Sequence, residues 1–249
     1  MNHAALKELL FRLADDEVMI GHRNAEWTGR GPILEADIAF ASMAQDELGH
    51  AQFYYSLLHE LGEADPDHLA FARDAGDFRC AQLAELPKGD WAFSIVRQFL
   101  YDAAESVRLA ALSRSSYAPL AQAARKFAGE EKYHLLHGKT WVLQSGRAAE
   151  SQARLQAALD QVYPYALGLF EITGGDPAMA AERLQAPEAE LQADWLALIA
   201  PVLSEAGLRL SRPGAAPMAG GRRGRHTEHL TALLNDMQLV FRADLEATL

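Results

Sequence analysis

Apolar residues recur along this chain at steps of three and four and almost nowhere at steps of two, the period of a helix and not of a strand. Leu6, Leu9, Leu10, Leu13 and Ile20 share one stripe and predict a first helix from about Ala4 to Glu26, which stops at the breakers Thr28-Gly29-Arg30-Gly31-Pro32. Phe40, Met43, Tyr54 and Leu58 predict a second, from about Ile33 to Leu61, ended by Gly62 with Pro66 soon after. Two long helices on a short loop are antiparallel neighbours. A third helix, about Trp91 to Arg114, and a fourth, about Pro119 to Leu143, flank Ser115-Ser116-Tyr117-Ala118 and form a second hairpin. Between the hairpins, Glu63 to Asp90 carries Pro66, Gly76, Pro87 and Gly89 around two short helical patches and reads as a crossover. A fifth helix, about Glu150 to Phe170, is expected to kink at Pro164. A sixth follows Pro187 through Leu191, Trp195, Leu198 and Ile199, and both should wrap the first four. Ser211 to Arg225 has no period, and a last helix is expected from Thr227 to about Leu245. The fold class is therefore all-α: a four-helix bundle of two antiparallel hairpins and a crossover, core about 4–145, with C-terminal helices over about 150–249, in one domain spanning 1–249.

Composition narrows the partners. A chain of 249 residues and 27.3 kDa can bury a core without disulfides or metals as staples. Lys plus Arg is 23 against 34 Asp plus Glu, a net charge of −11 that opposes attraction to nucleic acid or anionic membranes. Cys80 is the only cysteine, which excludes an intrachain disulfide framework and a cysteine-based metal or iron–sulfur site within one chain and fits a reducing cytoplasm. Charges interrupt every apolar run of MNHAALKELLFRLADDE, and no 18-residue apolar stretch follows, so neither a signal peptide nor a membrane span is expected.

Polar residues inside the apolar stripes carry the candidate chemistry. The second helix holds Glu47-Leu48-Gly49-His50 and the fourth holds Glu131-Lys132-Tyr133-His134, one Glu-x-x-His on the second helix of each hairpin. Positions i and i+3 share a helix face, so each glutamate and histidine can converge on one point, and carboxylate with imidazole suits iron or manganese. Phase supports an interior placement. Leu120, Ala124, Phe127, Glu131, His134, Gly138 and Trp141 follow one stripe, as do Phe40, Met43, Glu47, His50 and Tyr54. A dinuclear carboxylate site needs one more acid from each first helix. Counting back from the loop near Gly31 puts Asp15, Asp16 or Glu17 opposite Glu47; Asp16 and Glu17 share the side of Leu9, Leu13 and Ile20, while Asp15 reads as more external. Counting from Ser116 puts Tyr101 or Asp102 opposite Glu131, with Glu105 one turn away, and Asp102 follows Ile95 and Phe99 on the inner stripe. The provisional ligand set is Glu47, His50, Glu131, His134, Asp102 and either Asp16 or Glu17, holding two irons or surviving as a hydrogen-bonded network without metal.

A second feature is Gly220-Gly221-Arg222-Arg223-Gly224-Arg225-His226-Thr227-Glu228-His229-Leu230. Three arginines concentrate positive charge in an acidic chain, and Thr227 can cap the last helix with Glu228 in its first turn. Arg222, Arg223, Arg225, His226, Glu228 and His229 are the candidates for contact with a phosphorylated ligand or an acidic partner surface, against the plainer reading of a flexible loop before a capped helix. His226 and His229 have metal-like spacing without further ligands nearby in the sequence. Trp27, Trp91, Trp141 and Trp195 read as core or interface.

At these residues the chain resembles the C-subunit family of phenylacetyl-CoA epoxidases, the ring 1,2-phenylacetyl-CoA monooxygenases. The resemblance rests on Ala25-Glu26-Trp27-Thr28-Gly29, Glu35-Ala36-Asp37-Ile38-Ala39, Tyr133-His134-Leu135 and, most specifically, Gly-Arg-His-Thr-Glu-His-Leu from Gly224 to Leu230. It implies a ferritin-like subunit that pairs with a homologous catalytic A subunit in a cytoplasmic complex of phenylacetate catabolism. That complex converts phenylacetyl-CoA to its ring epoxide with oxygen and reductant, through a reductase component with flavin and an iron–sulfur centre. In the family the A subunit holds the working di-iron centre and the C subunit is structural. This sequence keeps Glu47, His50, Glu131 and His134 together, a fuller set than a structural role requires. The resemblance also implies that the arginine-rich loop lies near the A subunit or near CoA phosphates, and that the chain works in a homo- or hetero-oligomer.

Overall fold

The computed structural model describes residues 1–210 and 216–243, which are all-α: among them there is no strand. They divide into two compact units, one made of Met1–Pro87 with the C-terminal segment from Ala219, the other of Lys88–Met218.

The first unit is built on the hairpin of α1 (His3–Ala25) and α2 (Leu34–Glu60). Asn2 starts α1 by accepting the Ala5 amide on Oδ1 at 3.1 Å, and His22 and Arg23 in the last turn complement the helix dipole. Eight residues separate the two helices, and Asp37 Oδ1 ties that loop down by accepting the Gly29 amide at 2.9 Å. Gly62, at φ +92°, closes α2, with the Glu63 amide reaching back to the Leu58 carbonyl at 3.0 Å. Packing of α1 on α2 is the most extensive in the unit, and the apolar stripes Leu6, Leu9, Leu10, Leu13, Ile20 and Phe40, Tyr54, Leu58 are all buried. The expected crossover contains α3 (Pro66–Phe71), a 3-10 turn at Ala75–Asp77 and α4 (Gln82–Glu85).

The second unit is built on α5 (Trp91–Leu112) and α6 (Ala118–Ser145). Asp90 caps α5 by accepting the Phe93 amide at 2.8 Å, and Pro119 stands in the first turn of α6. Both α7 (Ala149–Leu167) and α9 (Glu188–Glu205) pack on α5. Trp195 of α9 donates its indole N–H to the Leu100 carbonyl at 3.0 Å and stacks on Tyr163. Pro164 sits inside α7, which continues to Leu167 before tightening into a 3-10 turn at Gly168–Phe170. The periodicity gave no sign of α8 (Asp176–Ala181), a single turn and a half opened by Pro177, with Asp176 Oδ2 accepting the Thr173 amide at 2.6 Å.

The C-terminal segment belongs to the first unit. The last helix is expected as one piece but is two, α10 (Glu228–Met237) and α11 (Leu239–Ala243), parted at Gln238, whose side-chain amide donates to the Arg73 carbonyl at 2.8 Å. Its expected end near Leu245 lies outside the described residues, as does the start of the aperiodic stretch at Ser211.

Candidate metal centre

Three consecutive acids in mid-α1, Asp15, Asp16 and Glu17, are all buried although successive helical residues point about 100° apart. Such a run is tolerated only if each carboxylate meets its own partner. Asp15, expected on the outside, is fully buried because the crossover covers it. Arg73 pairs with it, Tyr55 Oη donates to its Oδ1 at 2.6 Å and the Arg79 amide donates to its Oδ2 at 2.6 Å. Burial, and then the Asp15 charge, push the Tyr55 phenol well above its ordinary pKa, so it stays a donor. Asp16 accepts the Ala81 amide on Oδ1 at 2.7 Å and Arg222 Nη2 on Oδ2 at 2.6 Å. Both oxygens are therefore committed to protein donors, and Asp16 is a structural anchor. Glu17 turns to α2 instead.

His50 Nδ1 lies 3.6 Å from Glu17 Oε2 and 3.8 Å from Glu47 Oε2, and all three side chains are buried. One donor atom from each of Glu17, Glu47 and His50 falls within 4.8 Å of the others. Two carboxylates and one imidazole form an oxygen and nitrogen set that suits iron or manganese, so these residues fit the group the sequence pattern implies. Of the two alternatives on the first helix, the geometry brings Glu17 to the set and Asp16 to Arg222.

In the second unit, His134 Nδ1 is 3.3 Å from Glu131 Oε2, and Asp102 offers a carboxylate oxygen within 4.8 Å of the His134 ring. Asp102 Oδ1 also accepts the side-chain amide of Gln98, one turn earlier on α5, at 2.5 Å. Glu105 is drawn to Arg108 Nε at 3.4 Å, and Arg108 continues to Glu188 Oε1 at 3.0 Å and Gln185 Oε1 at 2.8 Å. Beyond His134, burial and then the His134 charge lower the His137 pKa to about 4. Its neutral ring accepts the Trp141 indole N–H on Nε2 at 3.1 Å.

The arginine-rich segment divides. Arg222 is buried, its Nη1 donating to the Arg79 carbonyl at 2.9 Å while Nη2 holds Asp16, so this arginine serves the fold of its own unit. His226 is held by Glu85 Oε1 at 2.6 Å and the Phe78 carbonyl at 3.0 Å, and Thr227 caps α10 while donating to Glu85 Oε2 from both N–H and Oγ1. Arg223, Arg225 and Glu228 remain exposed and His229 half-exposed. Periodicity did not single out the partly buried Arg73 or the buried Glu85 and Arg108, charges that answer the ones it did identify. Of the three only Glu85 carries a local signal, a charged residue just before a helix breaker in Glu85-Leu86-Pro87.

No helix among the described residues is long and apolar enough to cross a membrane. Residues 1–248 match the family described as phenylacetic acid catabolic protein. The chain is 34% identical over 233 residues to the C subunit of 1,2-phenylacetyl-CoA epoxidase of Escherichia coli (strain K12), covering 93% of this chain and 94% of that one. It is 32% identical over 145 residues to the A subunit of the same organism's epoxidase, covering 58% of this chain and 47% of that one.

Proposed function

We propose that this chain, which belongs to the phenylacetic acid catabolic protein family, is the structural subunit of a cytoplasmic phenylacetyl-CoA epoxidase that binds and stabilises a homologous catalytic subunit. The observation that carries this reading is the end-to-end likeness to the epoxidase C subunit, over 93% of the chain, beside a likeness to the A subunit that covers 58% of it. The local chemistry agrees with a structural role. Asp16 is neutralised by Arg222, Glu105 by Arg108, and Asp102 is hydrogen-bonded by Gln98, which holds the helices with protein donors at the levels where a catalytic centre needs open coordination positions. His50 between Glu17 and Glu47 supports the same role as an internal polar link between α1 and α2.

A second reading rests on that same triad. Glu17, Glu47 and His50 of one unit, and Glu131, His134 and Asp102 of the other, are the residues that would hold iron or manganese, each set within its own unit. Such a centre, when bound, supplies oxygen activation. The chain's part is to balance charge with its carboxylates, orient them through the imidazoles and keep the pocket dry.

Two measurements separate the readings. Co-expression with the catalytic A subunit should yield a stable complex whose epoxidase activity survives removal of metal ligands from this chain. Failure to form that complex sinks the structural reading. Elemental analysis of the chain expressed with supplemental iron should give no stoichiometric iron or manganese; two irons per chain, lost in an Asp102→Ala, Glu131→Ala variant that keeps its helical circular dichroism, would establish the di-iron reading instead.

A further inference from the structure

The single cysteine has found two partners of other chemistry. Cys80 is fully buried, in the segment leading into α4, and its Sγ lies 3.9 Å from His226 Nδ1. Glu85, also fully buried, places Oε1 2.6 Å from the same nitrogen. One donor atom from each of Cys80, Glu85 and His226 falls within 4.8 Å of the others, all inside the first unit and on residues that neither reading of the function uses.

Each donor is aimed by a second contact. The Phe78 carbonyl, 3.0 Å from His226 Nε2, requires the N–H there and turns Nδ1 toward the thiol and the carboxylate. Thr227 donates twice to Glu85 Oε2, from N–H and Oγ1 at 2.7 Å each, which leaves Oε1 as the single oxygen facing inward. The backbone of Cys80 is pinned from behind by Gly221: a Cβ there would collide with the Cys80 carbonyl oxygen, so only glycine fits. A thiol, one carboxylate oxygen and an imidazole nitrogen held by a backbone carbonyl is the ligand chemistry of a zinc-class cation.

We propose that Cys80, Glu85 and His226 bind one zinc-class divalent cation, which staples the crossover to the segment that opens α10; a single cysteine rules out a multi-cysteine site but not this mixed one, whose other donors come from residues 5 and 146 positions away. Proton and charge balance favour the exchange. Without metal the 2.6 Å contact between Glu85 Oε1 and His226 Nδ1 holds one proton, and Cys80, fully buried beside that carboxylate, carries its own as a thiol. Binding releases both protons, the one between Glu85 and His226 and the one on sulfur. Thiolate and carboxylate then neutralise the two charges of the cation, so the buried cluster is electrically neutral before and after.

Cobalt is the probe. The full chain, stripped with chelator and titrated with Co2+, should develop a near-ultraviolet sulfur-to-cobalt charge-transfer band that saturates at one cobalt per chain and is displaced by Zn2+. Cys80 is the only possible source of that band. It should vanish in His226→Gln and persist in a Glu47→Gln, His134→Gln variant, which separates this site from the carboxylate sets on the hairpins. Zinc should raise the melting temperature of the parent chain and leave that of Cys80→Ser unchanged. A folded parent chain that takes up cobalt without the band, or a band that survives His226→Gln, overturns the proposal; the titration of the parent chain decides even if a variant does not fold.

Discussion

The two hairpins each carry buried acids but satisfy them by different routes. On α1, Asp15 and Asp16 are answered by Arg73 and Arg222, cations delivered from segments 58 and 206 residues away, while Glu17 turns to His50 on the partner helix. On α5, Asp102 is answered by Gln98 four residues earlier and Glu105 by Arg108 three residues later, on the same helix. Periodicity sees both sets as polar residues on an inner stripe. What distinguishes a ligand candidate from an anchor is where the crossover and the C-terminal segment place their arginines, and that is a property of the tertiary fold.

The largest effect should come from breaking a long-range neutralisation. Arg222→Met leaves Asp16 buried with the Ala81 amide as its remaining donor, and uncompensated buried charge costs about 3–5 kcal/mol. On the other hairpin, Gln98→Leu removes one hydrogen bond to a charged acceptor, worth about 1.5–3 kcal/mol. Urea denaturation of the two variants should therefore rank Arg222→Met as the more destabilised. Equal losses would mean that Asp16 is protonated or solvated in the variant and that the contrast between the hairpins is geometric only.

This contrast also explains what the sequence made legible. The long helices, their loops and the burial of Glu47, His50, Glu131 and His134 follow from a stripe that repeats over six turns or more, and the structure shifts their ends by one or two residues. Choosing among Asp15, Asp16 and Glu17 was not possible in the same way. A helix wheel assigns one face, whereas α1 is covered on several sides, so Asp15 becomes as buried as Glu17. Arg222 looked like a surface cation because glycines and arginines surround it; its pairing with Asp16 depends on a return of the chain that no local pattern encodes. The break at Gln238 has the same origin, a side chain drawn to the Arg73 carbonyl against helix propensity.

Glycines sharpen the comparison at smaller cost. Gly138 faces α5 so closely that a Cβ would stand 3.0 Å from Phe99 Cα, a backbone atom that cannot yield alone. Gly138→Ala should destabilise by about 1–3 kcal/mol as an overpacked core position. Gly49, two residues after Glu47 on α2, has nothing within 4 Å of an added Cβ. Gly49→Ala should stabilise the isolated chain by about 1 kcal/mol through helix propensity alone. Opposite signs in thermal melts check both; a loss at Gly49 would reveal a close neighbour at that face.

The smallest effect is a titration. His137 on α6 accepts the Trp141 indole N–H on Nε2, a bond that only the unprotonated nitrogen can make, and burial followed by the His134 charge holds its pKa at about 4 against an unfolded value of 6.5. A depressed folded pKa makes the unfolded chain the better proton acceptor, so stability is complete above about pH 6.5 and declines as pH falls toward 4. On the first hairpin, burial and then Arg23 lower the His22 pKa too, but no indole depends on that ring's protonation. Protonating His137 must therefore change Trp141 emission while the chain is still folded, and His137→Gln should remove that step and leave the His22 contribution to the pH dependence of the urea midpoint. If the fluorescence step survives His137→Gln, the proton is entering elsewhere in the second unit. The remaining titratable neighbour on the inner stripe, His134 beside Glu131, would then be the group to replace next.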